Sequence, residues 1–160
     1  MREILFKAKR LDNGEWVEGY YYKRPSPERN EQHYILYPKF IDECMPYPTW
    51  YFEIDPNTLC QFTGLTDKND NKIWENDIIE SQEFLTRPFS KKYQHKRLIG
   101  MVEYHTCIFE NSNQIYKTEW KVKFNEEDIS KYPYSYWSDF WDCKVIGNKF
   151  DNPELLKGDN

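Results

Sequence analysis

Short runs of alternating apolar and polar residues, cut at close intervals by turn formers, constrain this chain more than any other feature. Ile4, Phe6 and Ala8 alternate with Leu5, Lys7 and Lys9. That period of two predicts a strand with one buried face. Asp12-Asn13-Gly14 follows, a strong hairpin turn signal, and Trp16 to Tyr22 resumes as a second strand. The first 22 residues therefore read as a β-hairpin.

The same grammar continues along the chain. Lys23 to Gln32 carries two prolines among charged residues and reads as an exposed loop. His33 to Tyr37 and Trp50 to Ile54 are strand candidates. Pro38, Pro46 and Pro48 keep the intervening stretch irregular, with room for one short helical turn. Thr58 to Leu65 and Lys72 to Ile79 flank the polar turn Thr66-Asp67-Lys68-Asn69-Asp70-Asn71. Asn and Asp there can bond their own backbone and tolerate left-handed conformations. Ser81 to Arg97 reads as a polar insertion. Leu98 to Cys107 and Gln114 to Phe124 read as strands, with Gly100 weakening the first or marking a bulge. Asn125 to Lys131 suits a helical turn, Lys144 to Asn148 a last strand, and Asn152 to Leu156 a short terminal helical turn. Strands this short point to a small barrel or sandwich.

Aromatic residues make up 18% of the 160 positions, with 13 Tyr, 10 Phe and 6 Trp. They suit a pleated, half-buried surface and reinforce the mainly β reading. The formal net charge is −5, from 22 basic and 27 acidic residues, which excludes a general attraction to nucleic acid or anionic membrane. No run of about 18 apolar residues is present, so no membrane-spanning helix is expected. The charged N-terminal residues lack a signal-peptide core, so a cytoplasmic location is expected. Cys44, Cys60, Cys107 and Cys143 lie far apart with no histidine at ligand spacing, and read as reduced thiols rather than a zinc site. His33, His95 and His105 are scattered, and phosphate-loop, dinucleotide-binding and serine-elbow motifs are absent. The expectation is a protein without enzymatic activity, metal or cofactor.

Several segments together resemble the YopX family of small phage- and prophage-encoded proteins. They are Met1 to Phe6, Gly14 to Tyr20, Asp55 to Asn69, Ile73 to Ile79, Val145 to Asn148 and Asp151 to Leu156. Cys60, Asp70 and Asn76 stand where the family pattern has Gly. Asp and Asn replace Gly at positive φ at modest cost, so the turns are expected to survive. Cys60 is expected in ordinary extended backbone. The resemblance implies a mainly β fold with a small SH3-like barrel in its C-terminal part, and no catalytic residues to carry over.

Two clusters stand out as candidate contact sites. Arg87, Lys91, Lys92, Lys96 and Arg97, with His95, interleave with Phe89 and Tyr93, and no acid lies between Glu83 and Glu103. Cations beside stacking rings suit weak single-strand nucleic-acid contact, and equally a solvated loop. Tyr134, Tyr136, Trp137 and Trp141, with Tyr132 and Phe140, follow the acids Glu126 to Asp128. They suit a protein contact or a cover over one end of a barrel.

The resulting expectation is an N-terminal β-hairpin layer over residues 1–57, packed on an SH3-like barrel over residues 58–160, with little helix. The expected role is a protein-interaction or regulatory module with an unknown host or phage protein as partner. The alternative is a weak nucleic-acid binder using Arg87–Arg97. No membrane association is expected, and self-association is left open.

Overall fold

The computed structural model describes residues 3–25, 31–37, 50–85, 94–108, 115–124 and 143–157. The chain is mainly β and divides into two compact units, Met1–Gly64 and Leu65–Asn160.

In the first unit, β1 (Phe6–Lys9) and β2 (Trp16–Arg24) form the expected hairpin, with Phe6 opposite Gly19 and Lys9 opposite Trp16. Gly14 takes φ +73° in the turn, where its N–H reaches the Arg10 carbonyl at 3.0 Å. A left-handed turn residue is costly for most side chains, so the turn selects glycine. Next come β3 (Gln32–Leu36), β4 (Tyr51–Glu53) and β5 (Cys60–Thr66), whose last two residues belong to the second unit. The strand order is β4-β3-β2-β1-β5 and adjacent strands run antiparallel.

Beyond β4 the chain returns to the end of β1. Ile54 bridges Arg10, Leu11 N–H donates to the Glu53 carbonyl, and Asp55 N–H donates to the Lys9 carbonyl. The sheet therefore curls at this end and encloses Ala8, Val17, Ile35 and Ile54. A 3-10 turn at Pro56–Thr58 follows, capped by the Asp55 carboxylate, which accepts from Asn57 N–H. Thr58 Oγ1 accepts from Lys9 N–H at 2.8 Å and donates to the Asp55 carbonyl at 2.7 Å. This turn is absent from the sequence reading, which ends a strand at Ile54.

The second unit contains β6 (Lys72–Trp74), β7 (Asp77–Leu85), β8 (Gln94–Ile108), β9 (Ile115–Phe124) and β10 (Cys143–Asn148). The last four form an antiparallel sheet in the order β10-β7-β8-β9. Among the described residues that order is open, with no pairing between β9 and β10. Its core holds Ile73, Ile79, Val102, Val122 and Cys143, joined by Trp120 and Val145.

Two sequence expectations change here, and that for Cys60 stands. The two ends of the polar stretch from Ser81 to Arg97 are strand, because β7 and β8 stay in register out to Leu85 opposite Gln94. Ladder pairing satisfies the backbone whatever the side chains, so polar composition does not prevent a strand. Gly100 keeps regular pairing opposite Ile79 and Phe124, and an irregularity instead falls between Val145 and Gly147. Cys60 is extended within β5 and fully buried, and Cys60 and Cys143 are free thiols. Cys44, the Cys107 side chain and the Asn125–Lys131 turn lie outside the described residues.

Candidate functional site

The alternation of β2 sorts its side chains cleanly. Val17, Gly19 and Tyr21 turn to the core side, and Trp16, Glu18, Tyr20, Tyr22 and Arg24 share the opposite face. Strand pairing extends that outer face across the sheet. Tyr20 sits opposite Leu36, which sits opposite Tyr51; Tyr22 sits opposite Tyr34, which sits opposite Glu53. Tyr34 is buried and meets Tyr51 edge-on at a centroid distance of 5.4 Å. Tyr20, Tyr22 and Tyr51 remain 42%, 48% and 62% exposed. The result is an exposed tyrosine surface on the sheet.

At the curled end of the same unit, Arg10, Glu15, Trp16, Val17, Tyr37, Trp50 and Phe52 line a pocket of about 310 Å³. A second hollow of about 290 Å³ is lined by Arg10, Leu11, Asp12, Tyr51, Phe52 and Glu53. The Arg10 guanidinium carbon stands 4.2 Å from the Phe52 ring centroid. Lys7 and Lys9 place their Nζ atoms 5.1 and 5.6 Å from the Trp16 ring. Arg10 also forms a two-pronged ion pair with Asp12, its Nε donating at 2.9 Å. That hydrogen bond holds the Asp12 carboxyl below its ordinary range. On the core side of β2, Tyr21 Oη shares a 2.6 Å hydrogen bond with His33 Nδ1.

Among the described residues, the second unit buries two carboxylates, and backbone and amide donors hold both. Asp67 is 4% exposed. Its oxygens accept from the N–H groups of Asn69, Asn71 and Val145, and from the Asn71 amide. Burial alone would push this carboxyl up, but the donors from Val145, Asn71 and Asn69 outweigh it and lower it. Asp77 is 1% exposed and accepts from Trp74 N–H at 2.8 Å and from the Asn148 amide at 3.0 Å. These acids hold turns and strand ends. Among the described residues, no group of three or more His, Cys, Asp or Glu could hold a metal ion.

The chain matches the family described as YopX protein over residues 5–157. It belongs to the YopX family. The glycine positions that this YopX-family chain fills with other residues behave unequally. Asp70 and Asn76 adopt φ +62° and +65°, the left-handed backbone glycine would take, whereas Cys60 does not. The crystal structure of protein EF1440 from Enterococcus faecalis is similar in fold, with a TM-score of 0.51 at 22% identity, covering 98% of this chain and 99% of that one. No curated protein matches the chain.

Arg87, Phe89, Lys91, Lys92 and Tyr93 lie outside the described residues, as do Tyr134, Tyr136, Trp137 and Trp141. Lys96 and Arg97 fall on β8, at register positions opposite Glu83 and Gln82. The tyrosine face and the Trp16 pocket were missed in the sequence, although the alternation of β2 already groups Trp16, Tyr20 and Tyr22. Pairing Tyr51 with them required the β3–β4 register.

Proposed function

We propose that this YopX-family chain is a non-enzymatic interaction module, docking a host or phage protein in the cytoplasm of a bacterial cell during phage or prophage regulation. The observation that carries the reading is the exposed tyrosine face of β2 and β4. Tyrosine supplies broad contact area at low conformational cost and is enriched among residues that dominate protein binding. The use of the buried acids Asp67 and Asp77 in structural hydrogen bonds supports a role without catalysis. The setting in phage biology follows from the resemblance described above. An SH3-like arrangement of the second unit belongs to the same proposal, supported by its β7-β8-β9 meander with β10 beside β7.

The test is a pull-down from an induced or infected host, using the wild type and a Tyr20→Ser, Tyr22→Ser, Tyr51→Ser triple variant. One specific protein should be recovered by the wild type and lost with the folded triple variant. Recovery that ignores the triple variant, or no recovery by folded wild type, would sink the reading.

The alternative is weak nucleic-acid contact through Arg87–Arg97, supported by the basic and aromatic content of that segment. It predicts low-salt binding of labelled oligonucleotides that charge reversal at Lys91, Lys92, Lys96 and Arg97 abolishes. Binding that survives the reversal removes it.

A further inference from the structure

We propose that Asn13-Gly14 is a latent self-modification site, an asparagine ready to lose its amide but held inert by the closed β1–β2 hairpin. The site is separate from the tyrosine face and holds whether or not that face binds a partner. Asn13-Gly14 is the one Asn-Gly step in the chain. Asparagine is a thermolabile residue, and glycine after it leaves no Cβ to crowd ring closure. In that reaction the Gly14 nitrogen gives up its proton to hydroxide and bonds to Asn13 Cγ. The Cγ–Nδ2 bond then breaks, and the amide takes up a proton from water and departs as ammonia. Water opens the resulting succinimide at either carbonyl, leaving aspartate or isoaspartate.

The folded turn withholds the parts of this reaction. Gly14 N–H donates to the Arg10 carbonyl at 3.0 Å, so the nucleophile is engaged. Asn13 Nδ2 donates to Glu15 Oε2 at 2.8 Å, and an ionised carboxylate has no proton to give the leaving group. Asn13 Oδ1 accepts from Glu15 N–H at 3.0 Å. That last bond draws electrons from Cγ and by itself favours attack. With the Nδ2 bond, however, it ties both ends of the amide to one residue. Cyclisation needs a free Gly14 nitrogen and a Cγ that turns tetrahedral, so the Arg10 bond must break and both amide bonds must shift. Asp12 to Glu15 are exposed, so water is at hand and the hydrogen bonds alone provide the protection. Each opening of the hairpin releases them together, and the extent of modification records the time the hairpin spends open.

The experiment incubates the full chain in warm, mildly alkaline buffer, folded and separately unfolded in urea. Mass spectrometry of the tryptic peptide 11–23 reads the gain of one mass unit, and chromatography separates the aspartate and isoaspartate forms. The folded chain should react about tenfold or more slowly than the unfolded one. Glu15→Ala removes the Oε2 acceptor and keeps the backbone donor. It should speed the folded reaction about threefold and leave the rate in urea unchanged. Glu15→Gln keeps an acceptor oxygen and should restore the slow rate. Amide exchange at Val17 reports opening, and a variant that exchanges faster should deamidate faster in step. Equal rates in the folded and unfolded chain would overturn the proposal. So would a folded Glu15→Ala chain no faster than wild type, or a Glu15→Gln chain as fast as Glu15→Ala.

Discussion

Asp67 shows how one side chain can hold a turn and a distant strand together. Its carboxylate closes the Asp67–Asn71 turn and also takes the N–H of Val145 in β10. An Asp67→Asn variant would turn an amide NH2 toward some of those donors, and should cost about 1–3 kcal/mol in urea unfolding at neutral pH. The pH dependence has a definite sign. The carboxyl is lowered in the folded chain from an ordinary value of 3.8. Its contribution is therefore complete above that value and is lost as pH falls through the lowered one. Unfolding between about pH 5 and 2 should thus be steeper for the wild type than for Asp67→Asn. Identical slopes would remove Asp67 as a source of acid sensitivity. Asp70 makes a contrasting case, since it is exposed at φ +62°. Asp70→Gly should be neutral or stabilising by less than about 1 kcal/mol, while Asp70→Val should cost about 1–2 kcal/mol. Calorimetric melting of both variants checks the pair, and equal Tm values would contradict it.

Among the elements, β2 carries the most information because its two faces do different work. Val17 joins the core while Tyr20 and Tyr22 reach solvent. Gly19 holds the strand close to β3, since a Cβ there would come within 2.0 Å of the Leu36 carbonyl oxygen. Gly19→Ala should therefore destabilise the first unit by about 1–3 kcal/mol or more, read as faster amide exchange at Val17 and Ile35. Unchanged exchange would show that the strands can separate there without penalty. The same strand shows what could be read in advance. Alternation and the Asp12-Asn13-Gly14 turn were enough to place the first hairpin. The left-handed residues at Asp70 and Asn76 were legible because each replaces a glycine of the family pattern. The long β7–β8 hairpin was not legible, because Gln82, Glu83, Gln94 and Lys96 lack the apolar period that marks a strand. Only pairing with the neighbouring strand fixes them. Equally hidden were the bond from Asp67 to Val145, 78 residues apart, and the gathering of Trp16, Trp50 and Phe52 around one pocket.

Among the described residues, two hydrophobic clusters share no residue. One is built on Ala8, Val17, Ile35 and Ile54, the other on Ile73, Ile79, Val102, Val122 and Cys143. Ile35→Ala and Val102→Ala should each be destabilising, by about 2–5 kcal/mol for the isoleucine and somewhat less for the smaller valine. Because their clusters share no member among the described residues, the double variant should equal their sum within about 0.5 kcal/mol. A larger coupling energy in chemical denaturation would show that the two clusters respond as one.

The partnership of Asp67 and Asp77 with β10 also sets a schedule for the nascent chain. Val145 and Asn148 are made long after the acids they meet, and β10 pairs with β7 across the same interval. While the ribosome is still translating the middle of the message, both carboxylates lack their late partners. The second unit must therefore wait until β10 has been made, whereas the strands of the first are complete once residue 66 has emerged. During that wait the incomplete sheet is open to chaperones and proteases, so a premature stop before residue 143 should yield a product that is degraded rather than one that accumulates.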